Sequence, residues 1–274
     1  MKTASLDIRL SPDGRVAARQ VFFARSLQEE LPIKRELGDA DPRSERVRLP
    51  AMFQCWCDLT FLHWRYPPES VRPHLPPALE LDTFDGSAWV GITPFLLRNL
   101  RPPLLPSLPW ISHFPETNCR TYVRGPDGRR GVWFFSLDAA RLAAVGGARF
   151  AYGLPYAWSR MHVARRGNQI VYESARRWPD IHAGTRFVVE PGEAAIEQPL
   201  EAFLTARFRL YSYVFGSLTF SRVEHPPWPL QTARLMEARQ TLTKAAALPD
   251  PEGAPIVHFS RGVCVRVGFP ERVR

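Results

Sequence analysis

The fold of this chain can be predicted outward from residues 113–161, HFPETNCRTYVRGPDGRRGVWFFSLDAARLAAVGGARFAYGLPYAWSRM. A strand over residues 113–123 ends at a turn over 125–128, because Gly-Pro-Asp-Gly combines residues that favour tight turns. The apolar run at 131–135 predicts a second strand that is covered on both faces. A short helix and a Gly-Leu-Pro-Tyr corner lead into a third strand. The stretch therefore predicts a central hairpin with a buried second strand.

The first strand carries a row of polar side chains on one face. Successive side chains of a strand point to opposite faces, so its even-numbered positions lie together. These positions hold Glu116, Asn118, Arg120 and Tyr122. Such a row faces either solvent or an enclosed cavity, and the large apolar residues beside it, including Trp133, favour the cavity.

Length and composition bound the architecture and the location. The 274 residues are 45% hydrophobic and 12% aromatic, which is enough for a sizeable core in one large or two small domains. No apolar run is long enough to span a bilayer, and residues 1–15 lack the apolar core of a secretory signal. We therefore expect a cytoplasmic protein with no membrane partner.

The net charge of +9 comes almost entirely from arginine, since lysine occurs only at Lys2, Lys34 and Lys244. The arginines are scattered along the chain, and no nucleic-acid-binding motif accompanies them. We expect a small-molecule ligand and no nucleic-acid partner. Assembly into a homo-oligomer is left open.

The cysteines and histidines do not show the spacing of a metal site. Cys55 and Cys57 flank one tryptophan, which is not zinc-finger spacing, and Cys119 and Cys264 stand alone. Thiols of a cytoplasmic protein are normally reduced, so we interpret Cys55 and Cys57 as small core residues. The sequence predicts no metal and no cofactor.

Two regions differ in pattern. Residues 1–48 form an N-terminal extension that is weakly helical or partly disordered, and residues 49–274 form a single domain of alternating runs separated by turns. A long strand over residues 52–66 is expected to place Phe53, His63 and Arg65 on the same face. Asp138 is expected to cap a short helix over 139–148. The pattern predicts a β-dominated α+β fold with a closed or nearly closed sheet and a few peripheral helices.

Four blocks in order resemble the YqjF-like family, a domain-of-unknown-function family grouped with the acetoacetate decarboxylase-like superfamily. The resemblance covers about residues 52–270 and implies a cone-shaped antiparallel barrel of the acetoacetate decarboxylase-like type with a central cavity. The blocks are FLHWRYPPESVRPHLPPALELDTFDGSAWVG at 61–91, FPETNCRTYV at 114–123, GVWFFSLDA at 131–139 and YGLPYAWSRM at 152–161.

The same resemblance implies a catalytic lysine position that this chain does not fill. Decarboxylases of the superfamily form a Schiff base with a keto acid through a lysine of a Gly-Phe/Ile-Pro-Lys-Lys motif. The similar stretch here is GLPYA, with Tyr156 and Ala157 at the lysine positions. Neither side chain can form an imine, so we expect no Schiff-base decarboxylation. The placement of Glu116 is similar to that of a cavity glutamate of the superfamily.

The candidate catalytic residues are Glu116 and Tyr156. Glu116 is a general acid or base if burial raises its pKa, or else the partner of an arginine such as Arg120. Tyr156 is a phenolic donor or an amphipathic packing residue.

The candidate ligand-binding residues form a second group. Arg120 could hold a carboxylate with two hydrogen bonds, and His63 could move a proton, although a histidine at a strand end is more often a surface residue. The full group comprises Asn118, Arg120, Tyr122, His63 and Trp133.

Three functions follow from these residues. The first is a cavity that binds a small organic acid or carbonyl compound. The second is an acid/base enzyme, such as a lyase, hydrolase or isomerase, that uses Glu116 without a covalent intermediate. The third is a structural or interaction protein whose interior is filled by side chains.

Overall fold

The computed structural model describes residues 39–108 and 110–273, and strands dominate this part of the chain. The helical part of the predicted N-terminal extension lies outside the described residues. No described helix is long and apolar enough to cross a membrane. The strands are β1 (Pro50–Tyr66), β2 (Glu80–Leu81), β3 (Ala88–Arg101), β4 (Phe114–Arg124), β5 (Arg130–Ala139), β6 (Tyr156–Arg166), β7 (Gln169–Trp178), β8 (Gly184–Ala194), β9 (Arg209–Val214), β10 (Ser217–Glu224), β11 (Leu230–Gln240), β12 (Ile256–Gly268) and β13 (Glu271–Arg272). The helices are α1 (Pro68–Val71), α2 (Leu142–Tyr152), α3 (Pro199–Thr205) and α4 (Leu242–Ala245).

Seven strands pair in a ring. The order is β12, β1, β3, β4, β5, β9 and β10, and β10 pairs back to β12. Strands β6, β7, β8 and β11 form a second stretch of sheet between β5 and β12. The β-dominated fold with few helices is confirmed. It departs from a purely antiparallel sheet at β5, which pairs in parallel with both β6 and β9.

The predicted hairpin at the centre of the chain is confirmed. Strands β4 and β5 pair antiparallel across the turn at 125–128, and β6 pairs with β7 in the same way. The largest packed cluster lies between the ring and the second stretch of sheet, where Tyr172 and Phe187 meet Leu62 and Ile92. A second cluster, which includes Val132, Leu137 and Val223, lines the interior of the ring.

The expectation that Asp138 caps a helix is wrong. Strand β5 continues to Ala139, and α2 begins only at Leu142. Asp138 is fully buried and accepts hydrogen bonds from Arg176 and Ser159, so its carboxylate serves a buried ion pair instead of a helix end.

Strand β1 reverses its inward face at a bulge, so the predicted single face from Phe53 to Arg65 is also wrong. Asp58 has a φ of 47°, and the pairing of β1 with β3 shifts register beyond Cys57. Trp56, at an even position, lines the interior before the bulge, whereas Leu59, at an odd position, lines it afterwards. An extra residue in one strand has this effect because side chains alternate with a period of two.

The expectation that the cysteines are reduced is wrong for Cys55 and Cys264. Cys55 of β1 and Cys264 of β12 form a disulfide, while Cys57 and Cys119 are free and buried. Cys55 and Cys264 are directly opposed in the antiparallel pairing, although 209 residues separate them in sequence.

The described part of the predicted extension packs against the ring. The backbone N–H of Asp41 donates to the His225 carbonyl at 2.9 Å. The N–H of Val47 donates to the Glu224 carboxylate at 2.6 Å. Residues 39–48 are thus attached to the end of β10 and the segment that follows it.

Candidate functional site

A cavity of about 350 Å³ lies inside the ring. Every strand of the ring contributes to its lining, and α2 and the segments after α3 and β10 complete it. Most lining side chains are apolar, which is typical of small-molecule sites with a few polar groups that orient the ligand. The polar and aromatic residues of the lining include Trp56, Thr93, Phe95, Glu116, Asn118, Arg120, Tyr156, Arg207 and Trp228.

Four of the predicted site residues line this cavity. Glu116, Asn118 and Arg120 do so from alternate positions of β4, as the strand periodicity predicts, and Tyr156 does so from the start of β6. Thr93 of β3 is directly opposite Asn118 in the strand pairing and extends the polar row. The row therefore forms one polar side of an otherwise apolar space.

Glu116 and Tyr156 form a buried acid–phenol pair. The Tyr156 hydroxyl donates a hydrogen bond to Oε2 of Glu116 at 3.1 Å. Burial raises the pKa of Glu116 to about 8, although the Tyr156 bond opposes this shift. Burial and the neighbouring carboxylate raise the pKa of Tyr156 well above its ordinary value. At neutral pH the pair therefore presents a protonated carboxyl whose hydroxyl can donate to a ligand.

Arg120 is a guanidinium without a carboxylate partner in the described part of the chain. Glu116 bonds to Tyr156 instead, and no other described carboxylate oxygen lies within the 4.0 Å ion-pair distance of Arg120. The guanidinium carbon lies 5.5 Å from the centre of the Phe61 ring and 6.0 Å from that of Tyr122. The Arg120 guanidinium is therefore half-buried beside aromatic rings and has no described counter-ion.

Four buried polar atoms on cavity-lining residues lack hydrogen-bond partners among the described residues. They are Thr93 Oγ1, Asn118 Oδ1, Arg120 Nε and Arg207 Nη2. Nearly all buried polar groups in proteins are hydrogen-bonded, so these four atoms keep hydrogen-bonding capacity that the described residues do not use.

Three further predicted residues lie outside the cavity lining. His63 Nε2 is 2.6 Å from the Tyr122 hydroxyl, which donates to the Leu204 carbonyl at 2.9 Å. The hydroxyl proton is thereby used, so Nε2 carries a proton and donates to Tyr122. Burial and nearby positive charge lower the pKa of His63 well below its ordinary value, so the ring is neutral and supports Tyr122. Trp133 packs edge-on against Tyr213 on the other face of β5.

The sequence patterns did not reveal an aromatic wall that completes the cavity. The Trp56 and Trp228 rings are nearly parallel, with centres 6.0 Å apart, and Phe95 lies 6.0 Å from Trp56. Trp228 precedes β11 and its indole N–H donates to the Thr205 carbonyl at 3.2 Å. Because these residues come from separate strands and loops, no local spacing connects them.

No lysine of the described residues lines the cavity. Lys244 is exposed on α4, away from the cavity lining, and Lys2 and Lys34 lie outside the described residues. No group of three His, Cys, Asp or Glu side chains within the described ranges could hold a metal ion.

Stability should fall with rising pH because of Glu116. Its pKa of about 8, against an ordinary 4.5, means that the folded state holds the proton more tightly than the unfolded state. The contribution of the neutral Glu116 carboxyl to the free energy of unfolding is therefore fully present below about pH 4.5, and it is lost as the pH rises through about 8. The free energy of unfolding of the wild type, minus that of Glu116→Gln, should be larger at about pH 5 than at about pH 9 in urea titrations.

Glu69→Gln, on the exposed surface of α1, is the matched control for these titrations. A wild-type-minus-Glu116→Gln difference that stays constant across this range would contradict the burial of a neutral Glu116.

Comparison with protein families identifies a match over most of the chain. The model of DUF2071, described as "Uncharacterized conserved protein (COG2071)", matches residues 53–264. The protein YqjF of Bacillus subtilis (strain 168), described as uncharacterized, is 38% identical over 213 residues, which are 77% of this chain and 87% of that protein.

Solved structures of the acetoacetate decarboxylase type have a similar fold. Acetoacetate decarboxylase from Legionella pneumophila aligns with a TM-score of 0.60 and 13% identity, covering 94% of this chain and 98% of that one. The enduracididine biosynthesis enzyme MppR in complex with pyruvate gives 0.59 and 14%, covering 82% and 91%. An acetoacetate decarboxylase-like enzyme from Sphingomonas wittichii RW1 gives 0.58 and 14%, covering 82% and 93%. At these identities the likeness shows a shared fold.

Proposed function

This chain belongs to the DUF2071 family of uncharacterized conserved proteins, and we propose that it binds a small organic acid or carbonyl compound in the central cavity without forming a covalent bond. The observation that carries this proposal is Arg120, a guanidinium in a largely apolar cavity with no described carboxylate beside it. An arginine can hold a carboxylate with two hydrogen bonds, and a low-dielectric surrounding strengthens the attraction.

The opposite end of the polar row supports a ligand with a neutral acceptor. Protonated Glu116 can donate to a carbonyl or hydroxyl oxygen, with Tyr156 holding the other carboxyl oxygen. Tyr156 stands at the position that the resemblance assigns to a Schiff-base lysine, so a bound carbonyl group would meet a hydrogen-bond donor in place of an amine. One structural neighbour is described as a pyruvate complex, and a keto acid fits the same pattern of charges here.

A second candidate function is acid/base catalysis by Glu116. A pKa of about 8 lies close to neutral pH, where a general acid or base is most effective. The third hypothesis, a filled interior, is disfavoured by a cavity of about 350 Å³.

Mass spectrometry of small molecules that are released from purified protein tests the proposal. We expect an organic acid or carbonyl compound from the wild type and much less from Arg120→Gln. Arg160→Gln, on the exposed surface of β6, should retain it and serves as the matched control. Equal recovery from the wild type and from both variants would contradict binding at Arg120.

Glu116→Gln separates binding from catalysis. The amide keeps the size of the side chain and cannot transfer a proton as a carboxylic acid does. If the cavity only binds, the variant retains the ligand and neither protein converts it. If Glu116 is an acid/base catalyst, the wild type converts the ligand and the variant binds it unchanged.

A further inference from the structure

We propose that the ligand is an aromatic carboxylic acid, with its carboxylate between Arg120 and Arg207 and its ring against the wall formed by Trp56, Phe95 and Trp228. This inference rests on the proposed function and specifies the class of ligand. It depends on three features of the cavity, which are the presence of two arginines in its lining, the aromatic wall and the length of the polar row.

The two guanidinium groups lie against the same tyrosine ring. Their central carbons are 6.0 Å (Arg120) and 4.7 Å (Arg207) from the centre of the Tyr122 ring. Arg207 is fixed by Asp82 at 2.7 Å and by the Phe203 carbonyl at 2.6 Å, and its Nη2 has no described partner.

Each arginine thus leaves one buried N–H nitrogen without a partner, Arg120 Nε and Arg207 Nη2. The two oxygens of a carboxylate match two such donors.

The size and lining of the cavity fit an aromatic ring. A volume of 350 Å³ corresponds to roughly a dozen waters in the liquid, so a three-carbon acid would leave most of it empty. Trp56, Phe95 and Trp228 present ring faces and edges within one side of the cavity. Aromatic pairs in offset or edge-on arrangements gain attraction beyond their buried area, which a short aliphatic acid does not.

The length of the polar row fits an elongated ligand. Glu116 and Arg120 are four residues apart on β4, which is about 13 Å at the rise of an extended strand. Asn118 and Thr93 lie between them with unpartnered oxygens. A ligand held at Arg120 can reach Glu116 with a hydroxyl or carbonyl group on the far side of its ring, and a short acid cannot.

Calorimetric titration with matched probes tests whether the ligand is an aromatic carboxylic acid. The probes are phenylacetate, its neutral analogue phenylacetamide, the short acids acetate and pyruvate, and phenyl phosphate. We expect phenylacetate to bind at least about tenfold more tightly than each of the others, since a hydrogen-bonded charge or a buried ring is worth about one order of magnitude. Arg120→Gln should weaken phenylacetate binding about 10- to 100-fold and leave phenylacetamide nearly unchanged.

The outcomes separate this inference from the function on which it rests. Acetate or pyruvate binding as tightly as phenylacetate would overturn the aromatic class and leave the proposed function standing. Tighter binding of phenyl phosphate than of phenylacetate would overturn the inference that the anionic group of the ligand is a carboxylate. No binding of any carboxylate would overturn both proposals. Arg160→Gln should match the wild type throughout. Should Arg120→Gln fail to fold, Arg120→Lys keeps the charge without the forked donors and should still lose affinity for phenylacetate.

Discussion

Gly262→Ala is expected to destabilise the protein by about 2–6 kcal/mol, because a side chain there meets both backbone strain and a steric clash. Gly262 has a φ of 124°, which L-residues rarely adopt, and it pairs with Cys57 next to the bulge of β1. A Cβ at this position would lie 2.0 Å from the Trp56 carbonyl oxygen. Because Trp56 belongs to the aromatic wall, any folded variant should also bind ligand less tightly.

Gly216→Ala separates the two causes. Gly216 also has a positive φ, of 77°, but a Cβ there would have no atom within 4 Å. This variant should lose only about 1–2 kcal/mol, the cost of a left-handed backbone. Urea unfolding of both variants gives the comparison. Equal losses for Gly216→Ala and Gly262→Ala would show that β1 and β12 are not as close at the bulge as described.

Asp138→Ala should cost about 3–5 kcal/mol of stability, because it leaves a buried arginine without its counter-charge. Asp138 and Arg176 are both buried, and Arg176 donates through Nε and Nη2 at 2.8–3.0 Å. Ser159 donates to the same carboxylate at 2.9 Å. These bonds connect β5, β6 and β7 directly behind the acid–phenol pair, so misplacement of Tyr156 should accompany the loss.

The double variant Asp138→Leu with Arg176→Met tests whether the uncompensated charge is responsible. Replacing both members of a buried ion pair by apolar residues of similar volume is often neutral, so most of the lost stability should return. Chemical unfolding of the single and double variants measures the coupling. A double variant no more stable than Asp138→Ala would show that packing around the carboxylate, and not its charge, supports this region.

The sequence predicted the polar side of the site better than its aromatic side. Alternation along β4 was sufficient to group Glu116, Asn118 and Arg120, because a regular strand has a fixed period. Tyr156 was expected in the cavity through the resemblance to a known family, since no periodicity connects β4 with the start of β6. Arg207 and Trp228 were missed because each lies in a connecting segment, after α3 and after β10 respectively, whose path depends on packing between distant elements.

The predictions for the faces of β1 and for the state of Cys55 were wrong for physical reasons that concern single residues. The prediction assumed that side chains alternate without interruption through Asp58, whose positive φ reverses the faces of β1. One sign of the bulge was present in the sequence, because a glycine inside a strand, such as Gly262 of β12, often marks a bulge or a close approach of two backbones. Cys55 and Cys264 lie 209 residues apart, so only the pairing of β1 with β12 could reveal their contact.

A crystal structure of the protein soaked with phenylacetate tests the central claim most directly. The claim is that the ring of strands encloses a cavity in which Arg120 holds a carboxylate. We predict density for the ligand inside the ring, with a carboxylate oxygen within about 3.2 Å of an Arg120 nitrogen and the phenyl ring against Trp56 and Trp228. An interior filled by side chains, or Arg120 paired with a carboxylate of the protein while the soaked acid lies outside the ring, would contradict it.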